Sequence, residues 1–228
     1  KMKSNKLAAR YFGIFFILAF ITYGTGSGIV ASIANEADSL ANIYANKASI
    51  VIGVILMALL HSFVNIGVLV IMFPIVKPTN ERFTYAYLSA GISATVVLIG
   101  GTIFTLLLLP LSDAYMEAGS SAGSHFETLR LLCVQGGFYA YQLGMAIWGI
   151  GGLFLTALLY QSRLVPRFIS VWGFIGYIIF MAGTILELFG YGYGVQLALP
   201  GGLFEIFLSF WLIAKGFNPP DVITEVIK

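Results

Sequence analysis

The sequence predicts an all-α fold, a polytopic transmembrane helical bundle of six spans with both termini cytoplasmic. Three observations predict it. Hydrophobic residues make up 59% of the 228 residues and charged residues 10%, against about 45–50% and about 25% in a soluble domain. Charge-free stretches longer than the roughly 20 residues needed to cross a bilayer recur along the chain. The basic residues between them fall almost entirely on one side of a six-span arrangement. So little charge cannot clothe a water-soluble surface. A soluble enzyme, a disordered chain and a basic nucleic-acid binder are excluded, and no nucleic-acid partner is expected. The whole chain, 1–228, is read as one transmembrane helical domain.

Four charge-free segments carry the first four spans: Tyr11 to Asn35, Ala48 to Val76, Phe83 to Ser112 and Leu131 to Ser162. The spans are placed near 11–34, 48–74, 83–110 and 131–160. A fifth stretch, Phe168 to Ala214, is too long for one helix. The run Gly190-Tyr191-Gly192-Tyr193-Gly194, with Pro200 soon after, divides it. Its two spans are placed near 168–189 and 197–215. The apolar run after the N-terminal lysines is longer than a signal-peptide core and is read as an uncleaved first span.

Orientation follows from the excess of lysine and arginine in cytoplasmic loops. Lys1, Lys3, Lys6, Arg10, Lys77, Arg82, Arg163, Arg167, Lys215 and Lys228 share one side, and only Lys47 and Arg130 lie on the other. Glu36, Asp38, Asp113, Glu117 and Glu127 accompany that second pair. The expected location is the inner (plasma) membrane of a bacterial cell, with N- and C-termini inside. The outer loop 35–47 is long enough for a short interfacial helix. The outer loop 111–127 is the longest, and Ser124-His125-Phe126-Glu127 in it matches a capping box. That motif would start the fourth helix near His125. Pro219-Pro220 would end the sixth.

The C-terminal half resembles a known family. Leu159-Tyr160-Gln161-Ser162-Arg163-Leu164-Val165-Pro166-Arg167-Phe168-Ile169-Ser170 is followed by Trp172-Gly173-Phe174-Ile175-Gly176-Tyr177. Leu199-Pro200, Glu205 and Trp211-Leu212-Ile213-Ala214-Lys215-Gly216-Phe217-Asn218 lie further on. Together these resemble the bacterial multi-pass membrane proteins grouped as domain of unknown function 4386. Ala9-Arg10-Tyr11-Phe12-Gly13 and Lys77-Pro78-Thr79-Asn80 extend the likeness over most of the chain. The resemblance implies a helical integral membrane protein. It implies no established activity and no catalytic residue.

Ionisable residues inside a span are costly and mark a functional site by default. Glu205 falls about 12 Å below the outer end of span six at about 1.5 Å per residue. Glu187 lies near the outer end of span five. His61 and Asn65 stand at i and i+4 in span two, on one helical face. Tyr23, Thr22, Thr95, Tyr141 and Gln142 share their depth. Such groups must turn inward and pair, so a polar pocket in the bundle core is expected. Glu205, His61, Asn65, Glu187, Gln142 and Tyr23 are its candidate ligand-binding residues. Plainer readings compete with each: one interhelical hydrogen bond for Glu205, a loop cap for Glu187, and a structural pair for His61 with Asn65.

No catalytic residue, metal site or cofactor is assigned. Two histidines and one cysteine, Cys133, make a poor zinc set. No Walker A or HExxH motif is present. Gly24 and Gly28, and the run Gly136, Ala140, Gly144, offer small-residue faces for packing within the chain or for a homo-oligomer. The aromatic residues are assigned to lipid contact and interfacial belts. The first functional reading is binding or transport of a small amphipathic or lipid-like ligand. The second is a non-catalytic membrane component serving a partner protein. The third is an intramembrane enzyme on a lipid-like substrate with Glu205 as general base. Membrane lipid is a partner in every case.

Overall fold

A computed structural model describes residues 2–35, 38–119 and 123–218. Lys1, Glu36, the Pro219-Pro220 stop and Lys228 therefore lie outside the described residues. Seven helices follow one another among the described residues. They are α1 (Met2–Ala34), α2 (Ser39–Ala45), α3 (Lys47–Val76), α4 (Glu81–Ala118), α5 (His125–Ser162), α6 (Arg167–Leu188) and α7 (Gly194–Ala214). All but α2 are long and apolar enough to cross a membrane. The six expected spans thus correspond to α1 and α3 to α7, and α2 is the short helix expected in loop 35–47.

The differences are local and have local causes. α4 continues to Ala118, so the long outer loop of 111–127 is mostly helix. Tyr115 and Ala118 pack there against a buried cluster that includes Leu108 and Phe126, and that burial favours the extra turns. The capping box does not form as expected. Both carboxylate oxygens of Glu127 are taken by Arg130, at 2.6 and 2.8 Å, although α5 does begin at His125. α7 starts at Gly194, three residues before the span placed near 197–215, and carries Pro200 inside it. The chain turns earlier, at Leu188–Gly194, where Gly190 adopts φ +84°, open to glycine at little cost.

α3 contains a π-helical turn, Ile55–Leu60, directly before His61. Nothing in the apolar sequence Ile-Leu-Met-Ala-Leu-Leu signals it. Such turns recur at functional sites in helical proteins.

The chain divides into two compact units. One comprises Lys1–Leu18, Val64–Thr95 and Gln142–Lys228; the other comprises Ala19–Phe63 and Val96–Tyr141. The core of the first centres on Phe12, Phe16, Leu69, Met72, Leu158, Tyr177, Phe204 and Leu208. Glycines set its helix spacing. A Cβ on Gly13 would stand 2.5 Å from the Ser209 carbonyl oxygen, so α1 meets the α7 backbone there. Gly176 and Gly201 bring α6 and α7 together in the same way. The second unit centres on Leu40, Ile43, Ile50, Leu108 and Phe126. In it, Lys47 pairs with Asp113 and lies over the Tyr44 ring. Gly26 packs on the Gly53 carbonyl, while Gly24 and Gly28 face open space. Gly136 and Ala140 are used against Phe104 and Gly101 of the same chain.

Candidate functional site

α7 buries the stripe Gly201, Phe204, Glu205, Leu208, Ser209 and Leu212, spaced at one helical turn. Glu205 is therefore carried into the core of its unit by the same periodicity that buries its apolar neighbours. It is 8% exposed. A carboxylate in this position needs donors, and two helices provide them. The Tyr177 hydroxyl of α6 donates to Glu205 Oε1 at 2.6 Å. The Trp148 indole Nε1–H of α5 donates to the same oxygen at 3.0 Å. No protein donor reaches Oε2 among the described residues.

The surrounding sequence explains how these groups fit. Gly152 lies one turn beyond Trp148 in α5, and a Cβ there would run into the Tyr177 ring. Glycine at 152 is what admits the tyrosine. Phe204 meets the Tyr177 ring edge-on at 5.7 Å, and Phe16 of α1 meets Trp148 at 6.1 Å. Ser209 Oγ donates to the Glu205 carbonyl at 2.7 Å, keeping its hydroxyl within α7.

A void of about 10 Å³ adjoins the cluster, lined by Phe16, Tyr87, Gly91, Trp148 and Tyr177 among others. That is about the size of one water molecule. Tyr87 of α4 is 2% exposed, and its hydroxyl has no hydrogen-bond partner among the described residues. The cluster thus joins a carboxylate with one uncommitted oxygen and a tyrosine with an uncommitted hydroxyl. It has the groups to hold or pass a proton, and it has no room for a lipid at that void.

Asn65, Glu187, His61 and Tyr23 take separate partners. Asn65 Nδ2 donates to Thr95 Oγ1 at 3.2 Å, and the Thr95 hydroxyl donates in turn to the Gly91 carbonyl at 2.8 Å. Gln142 is buried in the same unit. Glu187 accepts the Gly194 backbone N–H at 2.6 Å, a cap on the first turn of α7. In the second unit, His61 Nδ1 lies 3.1 Å from the Ala19 carbonyl. Its ring meets Tyr23 edge-on at 5.1 Å, and Tyr23 stacks on Tyr141 at 5.6 Å. Among the described residues no hydrogen bond joins Glu205, His61, Asn65, Glu187 or Gln142 to another of the five. His61 and Asn65, one turn apart in α3, are each satisfied separately.

Trp148, Tyr177 and Tyr87 escape sequence reasoning because aromatic residues are assigned wholesale to lipid and interface. One signal was present. Trp148 and Tyr177 sit well inside their spans, where an indole N–H or a phenol O–H must find a partner. No group of three or more His, Cys, Asp or Glu able to hold a metal ion occurs among the described residues.

A family model described as a domain of unknown function (DUF4386) matches residues 11–216. No curated protein and no solved structure matches the chain.

Proposed function

This chain belongs to the family of that domain of unknown function, and from this premise we propose that it binds or carries a small amphipathic or lipid-like molecule within the membrane, with Glu205 as its proton-exchanging polar anchor. The observation that carries the reading is the asymmetry of the Glu205 carboxyl. Two donors, one buried and one half-buried, converge on Oε1, and Oε2 is left without a protein donor among the described residues. A carboxyl used only as structural glue would be expected to spend both oxygens on protein donors. The adjoining void of about 10 Å³ takes a water or the tip of a polar group. The ligand's polar end meets Glu205 and its apolar part lies elsewhere. Asn65, Gln142 and Glu187, in the same unit as Glu205, belong to the ligand-binding set on this reading, and His61 and Tyr23 are candidate ligand contacts within the other unit.

Lipid and metabolite mass spectrometry on purified wild type and Glu205→Gln tests it. Wild type should retain a small molecule that the variant loses. Identical profiles from two folded proteins would remove Glu205 from ligand binding.

A second reading, a non-catalytic component serving a partner protein, is supported by the close backbone packing at Gly13 and Gly176. A densely packed helical bundle is what a structural subunit requires. The faces of Gly24 and Gly28, open in this chain, would suit a second copy. An enzymatic role has less support. Tyr177 is within reach of the carboxylate, but the void beside them does not admit a lipid-like substrate.

We also read the chain as a bacterial inner-membrane protein with both termini in the cytoplasm. Support comes from the ten basic residues on one side of the six spans and two on the other.

A further inference from the structure

Between the end of α5 and the start of α6 lies an open groove of about 270 Å³. Thr156, Ala157, Tyr160 and Gln161 form one wall, and Ser170 and Phe174 belong to the other. Its surface is mainly apolar. A depression of this kind on a membrane span fills with hydrocarbon, because an acyl chain enters it without desolvation cost.

Two features make it more than a generic lipid contact. The first is charge. Arg163 and Arg167 lie in and just after the connector between the helices, and Arg167 rides 4.9 Å above the Tyr160 ring at the groove's end. Neither arginine has an ion-pair partner among the described residues. No acidic residue occurs between Glu127 and Glu187 in the sequence. The connector is held in place, since Asn218 Nδ2 donates to the Arg163 carbonyl and Asn218 N to the Leu164 carbonyl, each at 2.8 Å. The second feature is Ser170. It is 1% exposed, and its hydroxyl has no hydrogen-bond partner among the described residues. Thr156, by contrast, has given its hydroxyl to the Gly152 and Leu153 carbonyls.

The order of these groups matches one class of molecule. Ser170 lies three residues after Arg167 and Phe174 seven, or about 4.5 and 10 Å along a helix rising about 1.5 Å per residue. Charge comes first, then polar groups, then an apolar wall. A phospholipid presents phosphate, ester carbonyls and acyl chain in that sequence. Guanidinium forks pair with phosphate through two parallel hydrogen bonds, and basic sites between spans at one membrane face suit anionic headgroups.

We propose that this groove holds one anionic phospholipid, with its phosphate on Arg163 and Arg167, its ester region at Ser170 and Gln161, and one acyl chain running past Phe174. The site shares no residue with the Glu205 cluster, and it stands or falls separately from the function proposed there.

The test uses native mass spectrometry of the whole protein, extracted from nanodiscs made with phosphatidylglycerol or phosphatidylcholine. Wild type should retain one phosphatidylglycerol at least about ten-fold more than phosphatidylcholine. Arg163→Gln with Arg167→Gln should abolish that preference. Ala157→Phe should fill the groove and lower retention of both lipids. Equal retention of the two lipids by wild type, or a preference that survives the double substitution, would overturn the proposal. Photo-crosslinking of unmutated protein with a diazirine-bearing phosphatidylglycerol keeps it testable should a variant fail to fold. Adducts should map to 156–174, and adducts confined to other segments would also overturn it.

Discussion

The Tyr177 hydroxyl donates to Glu205 Oε1 at 2.6 Å, so α6 and α7 are joined by a buried polar bond as well as by packing. Two residues, 28 positions apart in sequence, meet because Gly152 makes room for the tyrosine ring and Gly176 lets the two helices approach.

Tyr177→Phe keeps the ring and removes this donor. The carboxyl retains only Trp148. Loss of one partner from a buried polar group costs about 1–3 kcal/mol, so detergent unfolding should show destabilisation of that order. A change under about 0.5 kcal/mol would mean that the bond is easily replaced.

Tyr87→Phe makes the same chemical change with the opposite outcome. The Tyr87 hydroxyl is buried without a hydrogen-bond partner among the described residues, and removing it relieves an unmet desolvation cost. The variant should be as stable as wild type or more stable in the same assay. A loss of about 1 kcal/mol or more would show that this hydroxyl makes a bond, with bound water as the candidate in the adjoining void.

Glycine substitutions should separate packed from open faces. Gly13→Ala forces a Cβ to 2.5 Å from the Ser209 carbonyl. Backbone cannot rotate aside, so a loss of about 1–3 kcal/mol is expected. Gly28→Ala meets nothing within 4 Å and should stabilise the helix by up to about 1 kcal/mol. Thermal unfolding of both variants checks the contrast. A destabilised Gly28→Ala that also dissociates a dimer would assign that face to a second copy.

Sidedness can be read with single cysteines in a Cys133→Ala background. A membrane-impermeant maleimide should label Glu117→Cys in intact cells and should label Thr79→Cys only after permeabilisation. Both side chains are exposed, so labelling does not depend on unfolding. The reverse pattern would invert the proposed orientation.

The span count was legible because it depends on hydropathy and charge, which each segment carries locally. Tyr11 to Asn35 reads as a span without knowing what packs beside it. The helix breaks at Gly190–Gly194 and around Pro78 and Pro166 were legible for the same reason. Glu205 stood out because a carboxylate in an apolar run is conspicuous wherever it points. A loop cap is the plainer sequence reading of Glu187, and Glu187 does cap the start of α7.

Local sequence does not contain the rest. The partners of Glu205 lie 28 and 57 positions away, and nothing near Trp148 or Tyr177 in the sequence marks them as donors to it. The π-turn at Ile55–Leu60 was equally hidden within an apolar run. Whether a glycine is spent on a neighbouring helix, like Gly13, or left open, like Gly28, depends on which helix lies against it. Composition and periodicity make the chain a six-span helical membrane protein. The assembled packing selects which of its buried polar groups are satisfied and which, like Glu205 Oε2 and the Tyr87 hydroxyl, remain without a protein partner among the described residues.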